Sequence, residues 1–153
     1  MYRKILVPLD GSKLAECALE HVRAIAKGCG AQEVVLIRAI NPIPYWVYGD
    51  YANSSLINEV EKEQESFAEA YLDKILNELI KYGITARKIV LKGEPAQNIL
   101  DYAEKNSVDL IIMTTHGRSG PARWTMGSVA ERVTQYSKVP VLVIAPAGCR
   151  VIG

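Results

Sequence analysis

The sequence predicts an α/β fold: a doubly wound, five-stranded parallel sheet with helices on both faces. Three observations predict it. Five short apolar runs alternate strictly with four longer amphipathic helical patterns. The runs are apolar throughout rather than at every second residue, which marks strands buried on both faces. No Gly/Ser linker, low-complexity tract or charge block interrupts the alternation across 153 residues, so residues 1–153 are expected to form one domain. Right-handed crossovers wind such an alternation onto both faces of one sheet.

Each element has its own signal. Lys4 to Leu9 is the first strand, ended by Asp10-Gly11-Ser12. Ser12 is a good N-cap for a first helix with the stripe Ala15, Ala18, Leu19, Val22, Ile25 and Ala26, stopped by Gly28 and Gly30. Glu33 to Ala39 is the second strand. Asn41 to Ser54 carries Pro42, Pro44, Gly49 and the aromatics Tyr45, Trp46, Tyr48 and Tyr51, the composition of a long loop. These rings read either as a lid or partner surface, or as cover for the protein's own core. Ser54 or Ser55 caps a long second helix ending at Tyr82-Gly83, and Thr85 to Leu91 is the third strand. Glu94-Pro95 opens the third helix, with Pro95 at a tolerated first-turn position. Val108 to Thr114 is the fourth strand, Gly127-Ser128 opens the fourth helix, and Val139 to Ala145 is the fifth strand, closed by Pro146.

Composition excludes several function classes. Lys plus Arg number 18 and Asp plus Glu 17, a net charge of +1, so bulk charge does not drive binding to nucleic acid or to a membrane surface. No apolar run approaches the roughly 20 residues of a membrane helix. The apolar stretch before Asp10 is too short for a secretory signal, which makes a cytoplasmic location the expectation. Cys17, Cys29 and Cys149 are widely spaced, form no CxxC, and stand beside only two histidines, His21 and His116. This indicates neither a disulfide framework nor a zinc site and leaves the thiols incidental. The Asn53-Ser54-Ser55 sequon carries no meaning without a secretory signal.

In a doubly wound sheet, ligands bind beyond the carboxyl ends of the strands, where the strand order reverses. The strongest signal at those ends is Thr114-Thr115-His116-Gly117-Arg118-Ser119-Gly120, followed after residues 121–126 by Gly127-Ser128-Val129. Glycines let the backbone approach a phosphate, and a helix start presents unpaired N–H groups and a positive dipole end. Arg118 and Arg123 add charge suited to a triphosphate. Ser128-Val129-Ala130-Glu131 is equally a capping box, which would stabilise the helix without a ligand. Asp10 could accept hydrogen bonds from a ribose hydroxyl or an adenine amino group, or could simply bond its own turn. A P-loop, a G-x-G-x-x-G after the first strand, a phospho-acceptor Asp after the third strand and a G-x-S-x-G elbow are all missing from the sequence.

Taken together, residues 4–12, 113–120, 126–133 and 139–144 resemble the universal stress protein family, over nearly the whole chain from Tyr2 to Pro146. The resemblance implies a Rossmann-like sheet of the adenine nucleotide alpha hydrolase type, with strand order 3-2-1-4-5. The family's ATP-binding branch carries G-x2-G-x9-G-[ST]. Here Gly117, the nine residues 118–126 and Gly127-Ser128 match it, while Thr114 departs from the first glycine and adds bulk where backbone would pass a ligand. The resemblance implies ATP binding at the carboxyl ends of strands 1 and 4. Pro8, Leu9 and Asp10 would border the adenosine, and the Ala39 backbone would meet the adenine edge. Gly117, Arg118, Gly127, Ser128 and Val129 would hold the phosphates, with Met113, Gly120 and Met126 completing the site. Mg or Mn would bind through the phosphates. It also implies a homodimer through the fifth strand, Val141 to Ile144. A nucleotide-dependent stress-response regulator, with a protein partner still to be identified, is the expected function. The other readings are a dimeric interaction protein that has lost nucleotide binding, and a slow ATPase. Strong catalysis is not expected, because His116 stands near the loop without an accompanying base or carboxylate pair.

Overall fold

The computed structural model describes residues 1–51, 53–115 and 126–145. In chain order these form β1 (Lys4–Pro8), α1 (Lys13–Glu16), α2 (Ala18–Gly28), β2 (Glu33–Ile40), a 3-10 helix (Tyr45–Tyr51), α3 (Ser54–Lys81), β3 (Ala86–Lys92), α4 (Pro95–Lys105), β4 (Leu110–Thr114), α5 (Ser128–Tyr136) and β5 (Val141–Ile144). The strands pair in parallel in the order β3-β2-β1-β4-β5. The doubly wound sheet read from the sequence is therefore the fold.

Side chains alternate across a strand, so a strand covered on both faces must be apolar at every position. Ile5 and Val7 of β1, Leu36 of β2 and Ile112 of β4 pack under α2 and α3, against Val22, Leu72, Ile75 and Leu79. Their neighbours Leu6, Val35, Ile37, Ile111 and Met113 face the other way, against Ile99 and Ala103 of α4 and Ala130 and Val133 of α5. Two cores thus share one sheet.

Several boundaries differ from the sequence reading for local reasons. The first helix is two: the Cys17 N–H turns back to the Leu14 carbonyl at 3.2 Å, separating α1 from α2. The aromatic stretch is not wholly a loop, because Tyr45–Tyr51 is a 3-10 helix kinked at Gly49, where φ is 61°. Asn53, rather than Ser54 or Ser55, caps α3; its Oδ1 accepts the Leu56 N–H at 2.7 Å. At the β3 edge, Lys88 bridges Glu69 and Asp73 of α3 at 2.6 and 2.7 Å, and Lys92 reaches Glu65 at 2.6 Å. Hydrogen bonds to Asp73 and Glu69 raise the Lys88 pKa. Cys29 is a free, exposed thiol, whereas Cys17 is disulfide-bonded, which corrects the expectation of three incidental thiols. Among the described residues, no helix is long and apolar enough to cross a membrane.

Candidate functional site

The strand order reverses at β1. From there the chain builds outward through β2 and β3, then returns to place β4 and β5 on the opposite side. The connections leaving β1 and β4 diverge to opposite faces and leave a crevice at the strand ends. A cavity of about 300 Å³ lies there. Pro8, Leu9 and Asp10 line it from the end of β1, Ala39 from β2, and Met113 and Thr114 from β4. The opening residues of α5, from Gly127 to Ala130, close it. The volume is at the lower end of the range for small-ligand sites.

The start of α5 gives the cavity its chemistry. Gly127 is the N-cap residue, and no side chain caps this helix. The Gly127 N–H donates to the Thr115 carbonyl at 2.6 Å, which fastens the helix to the end of β4. The first intrahelical bond runs from the Glu131 N–H to the Gly127 carbonyl at 2.9 Å. Ser128, Val129 and Ala130 therefore occupy the first three helical positions, whose N–H groups have no acceptor within a helix. All three line the cavity. Donors and the positive end of the helix dipole together favour an anion. The capping box expected at Ser128-x-x-Glu131 does not form, because Gly127 takes the capping position and Ser128 falls one residue inside the helix.

Of the two readings of Asp10, the turn bond forms, and the residue stands where the other could be tested. Its Oδ1 accepts the Ser12 N–H at 2.9 Å, forming the turn, and Asp10 also lines the cavity. Ser12 in turn caps α1 by accepting the Ala15 N–H at 3.1 Å. Ala39 offers its main chain. β2 outruns β1, whose last paired residue is Pro8 opposite Ile37. The Ile37 carbonyl accepts from Leu9 on the β1 side, and the Ile40 carbonyl accepts from Gly93 on the β3 side. By alternation the Ala39 peptide groups face past the end of β1, into the cavity. Thr114 is buried in the cavity wall at the position where the family motif has a glycine.

Of the residues read as a site from the sequence, Pro8, Leu9, Asp10, Ala39, Met113, Gly127, Ser128 and Val129 meet around this one cavity. Met126 does not line it; the residue is exposed, and the Thr134 hydroxyl lies 3.7 Å from its sulfur. Gly117, Arg118 and Gly120 lie outside the described residues, as do His116 and Arg123. The sequence reading missed Pro95 and Ile99 of α4, which supply an apolar wall, and Arg38 near the end of β2; Asn41, at a strand end where the sequence places ligands, also lines the cavity. Arg38 carried a usable signal, a charge directly after four buried apolar residues. Among the described residues, no cluster of His, Cys, Asp or Glu is arranged to hold a metal ion.

Comparison with known proteins agrees with this architecture. Residues 1–145 match the Universal stress protein family. The universal stress protein MJ0531 of Methanocaldococcus jannaschii is 37% identical over 144 residues, covering 94% of this chain and 82% of that one. The solved structure of MJ0577, from the same organism, superposes with a TM-score of 0.83 at 36% identity, covering 95% of this chain and 96% of that one. More distant structures share the fold. One is a universal stress protein in complex with cAMP (TM-score 0.70, 20% identity, 95% and 98% covered). Another is an Arabidopsis thaliana family protein with AMP bound (TM-score 0.66, 14% identity, 93% and 90% covered). A parallel sheet of this order, with its cavity at the switch point, thus defines a doubly wound α/β protein with a crevice at the strand ends. The chain belongs to the universal stress protein family.

Proposed function

We propose that the protein binds an adenine nucleotide, ATP in the first instance, in the cavity at the ends of β1 and β4, and acts as a nucleotide-dependent regulator. One observation carries the reading. The N-terminus of α5, without a side-chain cap, opens into the same cavity as the Asp10 carboxylate and the Ala39 main chain. An anion seat, a hydroxyl acceptor and a peptide edge answer the three chemistries of a nucleotide: phosphate, ribose hydroxyl and base edge. In this reading Asp10 receives the ribose, Ala39 the adenine edge, and Ser128 and Val129 the phosphates. Gly117 and Arg118 join them from the glycine-rich segment. Family proteins holding cAMP and AMP support the adenine assignment. A Mg or Mn ion would be held by the phosphates, with no step of chemistry assigned to it.

The proposal extends to a cytoplasmic homodimer joined through β5, which among the described residues pairs with β4 alone. It places regulation, not turnover, at the centre. Thr114 favours a second reading, an interaction protein whose site has closed to nucleotide, since it lines the cavity where the family motif has a glycine.

Isothermal titration and thermal shift with ATP, AMP and cAMP test the proposal, with GTP as the base control. Saturable binding of adenine nucleotides and a rise in melting temperature are expected. Absence of heat and of any shift at millimolar nucleotide would select the second reading. Acid extraction of the purified protein, followed by ultraviolet absorbance, shows independently whether a nucleotide copurifies.

A further inference from the structure

We infer that Arg38 is a positioning residue for Asp10, holding the turn after β1 in the conformation that aims the carboxylate at a ribose and tying that turn to α3. The inference rests on the nucleotide reading above and names a residue that sets its sugar specificity.

β2 is apolar and buried from Val34 to Ile37 and then places a charge. Alternation puts Arg38 on the face of Val34 and Leu36, under the α1 to α3 layer, and Ala39 on the opposite face. On that face the guanidinium lies against Gly11, the residue after Asp10. A Cβ built on Gly11 would stand 2.2 Å from Arg38 Nη1 and 3.1 Å from its Cζ. The guanidinium thus fills the volume that a side chain at position 11 would take. Gly11 also has φ of +85°, which favours glycine independently. The other side of the guanidinium meets α3, with Cζ 5.6 Å from the centroid of the Tyr71 ring. The turn, the cation and the ring therefore form one stack.

The charges in this stack are mutually arranged. Burial is the main cause that raises the Tyr71 pKa; the charges of Glu16 and Asp10 add to it, and Arg38 opposes them. Asp10 and Arg38 therefore act on the same phenol from within one neighbourhood. Arg38 and Asp10 both line the cavity. A rigid, always-charged fork packed beside the Asx turn fixes the carboxylate more tightly than a flexible ammonium would. Through Tyr71 the same fork reaches the long helix that follows the 3-10 segment, so movement at the ribose end is felt at α3.

The experiment compares wild type, Arg38→Lys and Arg38→Met in the full chain. Titrations with ATP and 2′-deoxyATP are joined by ligand-free hydrogen exchange at the Ser12 amide, which Asp10 Oδ1 accepts. Wild type is expected to favour ATP by about tenfold, the value of one charge-assisted hydrogen bond. In Arg38→Met the preference falls to about twofold or less, and Ser12 exchange quickens with little change in melting temperature. Arg38→Lys falls between, and it carries the test if the methionine variant does not fold. Equal weakening of both nucleotides, or unchanged Ser12 protection, overturns the inference and leaves Arg38 as packing alone. If wild type binds neither nucleotide, the nucleotide reading fails, and Ser12 exchange by itself decides whether Arg38 positions Asp10.

Discussion

The helices α4 and α5 both begin beside the cavity, and they are finished differently. At α4, Glu94 closes the N-terminus with its own carboxylate; Oε1 accepts from Ala96 at 3.1 Å and Oε2 from Gln97 at 2.8 Å. Arg132 of α5 then pairs with that carboxylate at 3.2 Å. At α5 itself the cap is Gly127, which brings no side chain. The first helix carries its anion within the sequence. The second leaves three first-turn N–H groups facing a cavity. The same backbone physics yields a self-capped terminus in one case and, in the proposed reading, a ligand seat in the other, and the capping residue distinguishes them.

The most direct way to break the comparison is to give α5 what α4 has. Gly127→Asp supplies an internal carboxylate, and ATP affinity should fall about a hundredfold or more, because like charges placed together cost several kcal/mol. Its melting temperature should hold or rise slightly, since Asp and Gly differ by only a few tenths of a kcal/mol as caps. Retained affinity in calorimetry would show that the α5 terminus is not the phosphate seat. Thr114→Gly sharpens the comparison from the β4 side. Opening the wall should raise ATP affinity about tenfold if the side chain is what restrains the ligand. No gain would show that the wall does not limit binding.

Removing the α4 cap is the reciprocal test. Glu94→Ala should cost about 1 kcal/mol and lower the melting temperature by about 2–4 °C. Nucleotide affinity should stay the same, because α4 offers the cavity only the apolar surfaces of Pro95 and Ile99. A large affinity change would mean that the two termini are not separable. The smallest effect concerns pH. The folded Tyr71 phenol ionises above its ordinary range, mainly through burial. The unfolded phenol releases its proton near pH 10, so the native state binds more protons above that pH, and stability declines as pH rises. Tyr71→Phe should remove that part of the decline in alkaline chemical denaturation while matching wild type near neutrality.

Most of the architecture was legible because burial on both faces leaves no choice of residue type along β1, β2 and β4. Glu94-Pro95 was readable as a helix start for another reason, because proline fits the first helical turn. Two caps were misread by one or two residues. At α3 the adjacent serines are equally good capping residues by type, and the Asn53 side chain takes the position. At Ser128 the capping-box spacing was correct, but the Gly127 bond to Thr115 set the helix start one residue earlier than the box requires. Asp10 shows that two readings of one residue need not compete, since it bonds its turn and still lines the cavity. Arg38 carried a signal, a charge at the end of an apolar strand, but what it packs against was not legible. Its surroundings come from Gly11 and Tyr71, which lie far along the chain in either direction and meet only in the folded sheet.

The overhang of β2 beyond β1 has a consequence for how this site would look to genetics. If the base is read by the peptide groups of Ala39, then the letter at position 39 carries almost none of the base specificity. Exchange for valine or serine would leave that contact in place, and a scan of side-chain replacements would score the position as silent. Only proline, which deletes the N–H, would expose it. Base recognition here would be inherited through strand length rather than through residue identity, and it would drift invisibly so long as β2 stayed longer than its neighbour.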